Sequence, residues 1–110
     1  MAKLVNETRN NEEYLIEKGD KTTIVGSYIY SDIYLQHGVD KCQFVITSHM
    51  DDDLKNGLEH IVHDIISLST KIDTFVEQDG KKEKLTPQSP YRLKDGAKIN
   101  VNGYELKYKI

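Results

Sequence analysis

Apolar residues in this chain come in short runs, rich in β-branched and aromatic side chains and separated by turn residues. Such runs are too short for helices and read as strands. They predict strands at about 2–6, 13–18, 22–26, 32–35, 42–48, 60–66, 74–77, 91–93, 97–101 and 104–109. The punctuation between them is clear: Lys18-Gly19-Asp20, His37-Gly38, Asn56-Gly57, Asp79-Gly80, Asp95-Gly96 and Asn102-Gly103. Asn-Gly and Asp-Gly pairs suit type I′ turns, because both residues tolerate positive φ. The clearest hairpin is the last: Lys98-Ile99-Asn100-Val101 alternates in and out, Asn102-Gly103 turns, and Tyr104 to Tyr108 alternates back. Many short strands at such spacing predict an all-β fold, an antiparallel sandwich or barrel.

One segment competes for helix. Residues 51–60 open with Asp51, Asp52 and Asp53, as a helix N-terminus does. Gly57 interrupts it too soon, so a loop with at most one helical turn is expected. The two prolines, Pro87 and Pro90, share one loop and mark a surface connection between strands. The chain shows no internal repeat. At 110 residues it is read as one domain, residues 1–110. Its final strand runs almost to Ile110, which suggests a unit cut from a larger protein.

Composition narrows the function classes. The net charge is −3 and there is no basic excess, which argues against nucleic acid or an anionic membrane as the main partner. Lys81, Lys82 and Lys84 form the one dense basic cluster, and after Asp79-Gly80 they read as a solvated turn. A single cysteine, Cys42, rules out an internal disulfide and fits a reducing compartment. No window holds the roughly 18 consecutive apolar residues of a membrane helix. The N-terminus lacks the apolar core of a signal peptide. An intracellular protein, nuclear or cytoplasmic, is expected.

Chemical motifs are sparse. His60, His63 and Asp64 offer metal-ligand types, but in a strand His60 and His63 point to opposite faces. His49 with Asp51 to Asp53 lacks the alternating ligands and fixed glycine of a calcium loop. Cys42 has no neighbours that would lower its pKa. No nucleophile elbow, phosphate-binding glycine loop or dinucleotide fingerprint is present. The sequence therefore predicts no catalytic residue, no metal and no cofactor. Among seven tyrosines, Tyr28, Tyr30 and Tyr34 lie close together. An aromatic cluster in a loop suits a protein interface, but strand packing with the hydroxyls at the rim is the simpler account.

The order of elements resembles a forkhead-associated (FHA) domain. Ile24-Val25-Gly26 is similar to that family's Ile-Gly-Arg strand end, and Ser31-Asp32-Ile33-Tyr34-Leu35 to its Asp-Ile-x-Leu strand. Val39 to Ile46 matches the spacing of Val-Ser-Arg-x-His-Ala-x-Ile. Val62-His63-Asp64-Ile65, Thr74-Phe75-Val76 and Leu93 to Val101 resemble the later strand motifs. The similarity runs from about residue 13 to 109. It implies an antiparallel β-sandwich of the FHA/SMAD type. It also implies a protein-interaction module whose members mostly bind phosphothreonine peptides through loops at one end.

The departures fall on the ligand loops. Ser27 stands where the family has an Arg that forks onto phosphate. Asp40 stands in place of the phosphate-binding Ser, and would repel a group of charge about −1.5 to −2. Gln43 replaces a structural His. The Ser-x-Asn-Gly-Thr loop becomes Ser69-Thr70-Lys71-Ile72-Asp73-Thr74. The resemblance thus implies a degenerate domain that docks another protein, or another region of its own chain, without phosphothreonine recognition. Its contacts would come from Ser27, Tyr28 and Tyr30 in one loop, Gln36, His37, Asp40 and Lys41 in the next, and Ser69, Thr70 and Lys71 in the third. A second reading keeps phosphopeptide binding, with Lys41 and Lys71 in place of the Arg. A third is a metal-dependent enzyme built on His60, His63 and Asp64. Domains of this family usually sit in intracellular scaffolds of signalling, DNA repair or chromosome biology.

Overall fold

The computed structural model describes residues 2–16, 22–53 and 58–110, and of 51–53 and 58–60 the backbone alone. In chain order the strands are β1 (Lys3–Asn6), β2 (Glu12–Leu15), β3 (Thr22–Gly26), β4 (Ile33–Tyr34), β5 (Phe44–Asp53) and β6 (Leu58–Ser67). Then follow β7 (Phe75–Gln78), β8 (Lys81–Lys84), β9 (Tyr91–Arg92), β10 (Lys98–Val101) and β11 (Tyr104–Lys109). They form two sheets, a six-stranded one ordered β2-β1-β11-β10-β7-β8 and a five-stranded one ordered β4-β3-β5-β6-β9. Pairing is antiparallel except between β3 and β4, which are parallel. The expected sandwich is therefore present, with one mixed sheet. No helix occurs among the described residues.

Strand alternation builds the core. Ile99 and Val101 of β10 and Leu106 and Tyr108 of β11 point inward, while Lys98 and Glu105 meet in an ion pair outside. Leu4, Phe44, Ile46 and Ile65 fill the space from the other strands, and all are fully buried. Each such side chain contributes about 1.5–3 kcal/mol of burial. The Asn102-Gly103 turn forms as predicted: its residues have φ of 40° and 91°, which the type I′ geometry requires, and Val101 pairs with Tyr104.

Two regions differ from expectation. The segment expected as a loop with a helical turn is instead strand on both sides. The β5–β6 ladder runs from Phe44↔Ser67 to Asp53↔Leu58. Once Phe44–Met50 is in register, each further pair satisfies its own backbone groups, and this outweighs weak local propensity. The Asn56-Gly57 turn lies outside the described residues. The lysine cluster, expected as a solvated turn, is strand β8, paired with β7 from Phe75↔Lys84 to Gln78↔Lys81. All four of its residues are exposed, so no apolar alternation marks it. The Asp79-Gly80 turn folds it back, and the Lys82 ammonium sits 5.3 Å from the Phe75 ring centroid. Lysines on such an edge also discourage pairing with another sheet.

His63 and Tyr108 form a polar pair inside the sandwich. His63 Nδ1 lies 2.6 Å from the Tyr108 hydroxyl, with the rings edge to face. Burial pushes the imidazole below its ordinary value and the phenol up to about 12. Both groups are therefore neutral at physiological pH. Asp64, next in β6, points the other way, to Arg92 Nε at 2.6 Å and His49 at 3.4 Å. His63 and Asp64 thus do not converge. The side chain of His60 lies outside the described residues.

Candidate functional site: three loops at one end of the sandwich

The loops after β3, before β5 and after β6 are fastened to one another by backbone first. Ser27 N–H donates to Asp40 O at 2.9 Å, and Tyr28 N–H to Lys41 O at 3.2 Å. This approach is so close that a Cβ on Gly26 would lie 2.0 Å from the Lys41 carbonyl oxygen. Only glycine fits there.

Gln43 ties the second loop to the third. It is fully buried. Its Oε1 accepts from Asp40 N–H at 2.9 Å, and its Nε2 donates to Ile72 O at 2.7 Å and Thr74 Oγ1 at 3.0 Å. By the resemblance, Gln43 stands where the family has a structural His. The separate donor and acceptor of its amide reach both loops at once.

Asp40 makes the other bridge. Its Oδ2 accepts the Ser69 hydroxyl at 2.9 Å and its Oδ1 accepts Lys41 N–H at 2.8 Å. Ser69 Oγ accepts in turn from the N–H groups of Lys71 and Ile72, at 3.2 and 3.0 Å. The Ser69 hydroxyl and the Lys41 amide hold the Asp40 carboxyl below the usual carboxylate range, and the charges of Lys71 and Lys41 add to this. The carboxylate thus already occupies the Ser69 hydroxyl and the Lys41 amide.

Of the residues singled out in the sequence, Ser27, Asp40, Lys41 and Ser69 are brought together, with Lys71 hydrogen-bonded to Ser69. Thr70 and Lys71 are exposed. His37 is not part of the cluster: its N–H donates to the Tyr104 hydroxyl at 3.3 Å, and Asn102 Nδ2 donates to Gly38 O at 2.6 Å. That stretch is strapped to the β10–β11 turn instead. Gln36 is exposed beside it. Tyr28 and Tyr30 stand edge to face, centroids 5.6 Å apart, on the outer rim. With Ile24, Ser31, Lys41 and Cys42 they line a concavity of about 310 Å³. Cys42 is half-buried there, and burial together with the Asp40 charge pushes its thiol up, away from a reactive thiolate. Among the described residues no group of three or more His, Cys, Asp or Glu could hold a metal ion. The sequence singled out Gln43 only as the replacement of a structural His; its bridging of the second and third loops comes from the structure.

No family profile matches the chain, and no curated protein matches it in sequence. Solved structures do. The FhaA FHA domain complexed with the intracellular domain of Rv3910 superposes with a TM-score of 0.71, covering 99% of this chain and 100% of that one at 17% identity. The MEK1 FHA domain bound to a phosphothreonine peptide of HOP1 gives 0.76, covering 99% and 95% at 19% identity. The N-terminal FHA domain of S. cerevisiae Rad53p, bound to a phosphothreonine peptide, gives 0.70, covering 99% and 92% at 16% identity. The chain has the forkhead-associated fold. The resemblance drawn from scattered motifs holds at the level of the fold across the whole chain.

Proposed function

We propose that this FHA fold is a non-catalytic docking module that has given up phosphothreonine recognition. It binds another protein, or another region of its own chain, through the loop end. The observation that carries this is Asp40: a carboxylate accepts both the Ser69 hydroxyl and the Lys41 amide, where a bound phosphate would need donors. An anion entering there meets like charge, and Ser27 offers no guanidinium to offset it. Gln43 and Gly26 meanwhile keep the loops in place without a ligand. The FhaA complex supports the idea that such a fold can take a protein domain as partner. In this reading the module works inside the cell, as part of a larger signalling or scaffolding protein.

The test is reconstruction. Wild type is expected to bind no phosphothreonine peptide, and the Ser27→Arg, Asp40→Ser double variant to gain phosphate-dependent binding. Equal binding by both would overturn the reading. A second reading is favoured by Lys41 and Lys71, both exposed and both acting on Asp40: they could serve as point charges for a phosphate. In that case the Lys41→Glu, Lys71→Glu variant loses binding that wild type has.

A further inference from the structure

The turn after Ser27 carries its apolar residues in the wrong places for a solvated loop. Ser31 N–H donates to Tyr28 O at 2.9 Å, which closes a β-turn with Ile29 and Tyr30 at its corners. Turn corners favour Gly, Pro, Asn, Asp and Ser. Here they hold an isoleucine that is 71% exposed and a tyrosine that is 81% exposed. The turn is also held firmly: Tyr28 N–H is anchored on Lys41 O, and Ile24 N–H donates to Asp32 Oδ2 at 2.8 Å. A rigid apolar corner loses little freedom on contact.

Beside this knob lies a hole. The concavity of about 310 Å³ lined by Ile24, Tyr28, Tyr30, Ser31, Lys41 and Cys42 is sized for a side chain. Ile24 of its lining begins a cross-strand row, Ile24 opposite Val45 opposite Ile66. Tyr28 and Tyr30, which line the hole, flank Ile29 in the turn, so knob and hole are neighbours in one molecule. Two copies related by a two-fold axis can each place Ile29 in the other's concavity, and the exchange closes without leaving a free knob. The charges agree with this. Asp32 follows the knob by three residues, and Lys41 lines the hole. The pairing thus sets one acidic residue beside each knob and one basic residue in each hole.

We infer that the chain pairs with a second copy of itself through the Tyr28–Ser31 turn. This deepens the docking reading by naming the partner at the loop end, and rests on it. The face is small, so a weak dimer is expected, with a dissociation constant on the order of 10–100 µM.

Sedimentation velocity from roughly 10 µM to roughly 1 mM spans that range. Wild type should move from 12.7 kDa towards twice that mass. Ile29→Asp, at an exposed corner, should raise the dissociation constant at least about tenfold. Lys41→Glu should raise it about threefold, because it sets acid against acid. Melting curves of both variants should overlay wild type, which shows that the fold is intact. Wild type that stays monomeric throughout overturns the inference, and points to a different protein as occupant. A dimer that Ile29→Asp leaves untouched overturns it too. Neither result bears on phosphopeptide binding, so the docking reading keeps its separate test.

Discussion

Replacing Gln43 by leucine probes the joint between the second and third loops. Leucine nearly fills the same volume, so the cavity term is small. What is lost are three hydrogen bonds, and their former partners stay behind: Asp40 N–H, Ile72 O and Thr74 Oγ1. Each net bond contributes about 0.5–1.5 kcal/mol, and an orphaned buried partner raises the loss towards the upper end. Because the site is fully buried, little water can compensate. The expected cost of Gln43→Leu is about 2–4 kcal/mol. Urea unfolding measures it directly, with a lower midpoint and an unchanged slope. In a thermal melt this is about 10–25 °C for a domain of this size. Gln43→His, which can still reach two of the partners, should lose about half as much. A leucine variant within about 1 kcal/mol of wild type would refute the claim that Gln43 holds the loops.

Other residues give independent checks. Gly26→Ala places a Cβ 2.0 Å from Lys41 O and should cost about 3 kcal/mol or more in chemical unfolding; near-wild-type stability would contradict the close approach. His63 is kept neutral by burial, so its folded pKa lies below the ordinary 6.5. The unfolded chain then takes up a proton first as pH falls, and stability should drop from about pH 6.5 downward, a slope that His63→Phe removes. Tyr108 shifts the other way, to about 12. Its contribution is present below pH 10 and should be lost between about 10 and 12, as the unfolded phenol ionises first. Asp40 is depressed, so its bridge should hold above about pH 4 and weaken below it. A carboxyl titration by NMR that returns an ordinary value for Asp40 would remove that bridge.

What the sequence made legible follows from where one local pattern decides the outcome. Asn102-Gly103 and the alternation on either side specified the last hairpin, because turn type and burial agree there. The lysine strand β8 was hidden, since an edge strand with both faces in water needs no apolar period. The far ends of β5 and β6 were hidden for a related reason: their pairing is inherited from Phe44–Met50 rather than written in Asp51, Asp52 and Asp53. In the loops, Ser27 and Asp40 were readable as departures from the FHA motif. The outcome of those departures was not, because Asp40–Ser69 and Gln43–Ile72 join residues 29 apart in sequence. Ile29 escaped notice beside its two tyrosines; only its place at a turn corner gives it weight.

The central claim is that the loop end no longer grips phosphate. An isotopically labelled sample titrated with a degenerate phosphothreonine peptide pool, and with its unphosphorylated twin, tests it through backbone amide shifts. The account predicts that neither pool moves the amides of Ser27, Lys41 and Lys71. Shifts at these three residues with the phosphorylated pool alone would contradict it and make the chain a phosphopeptide reader.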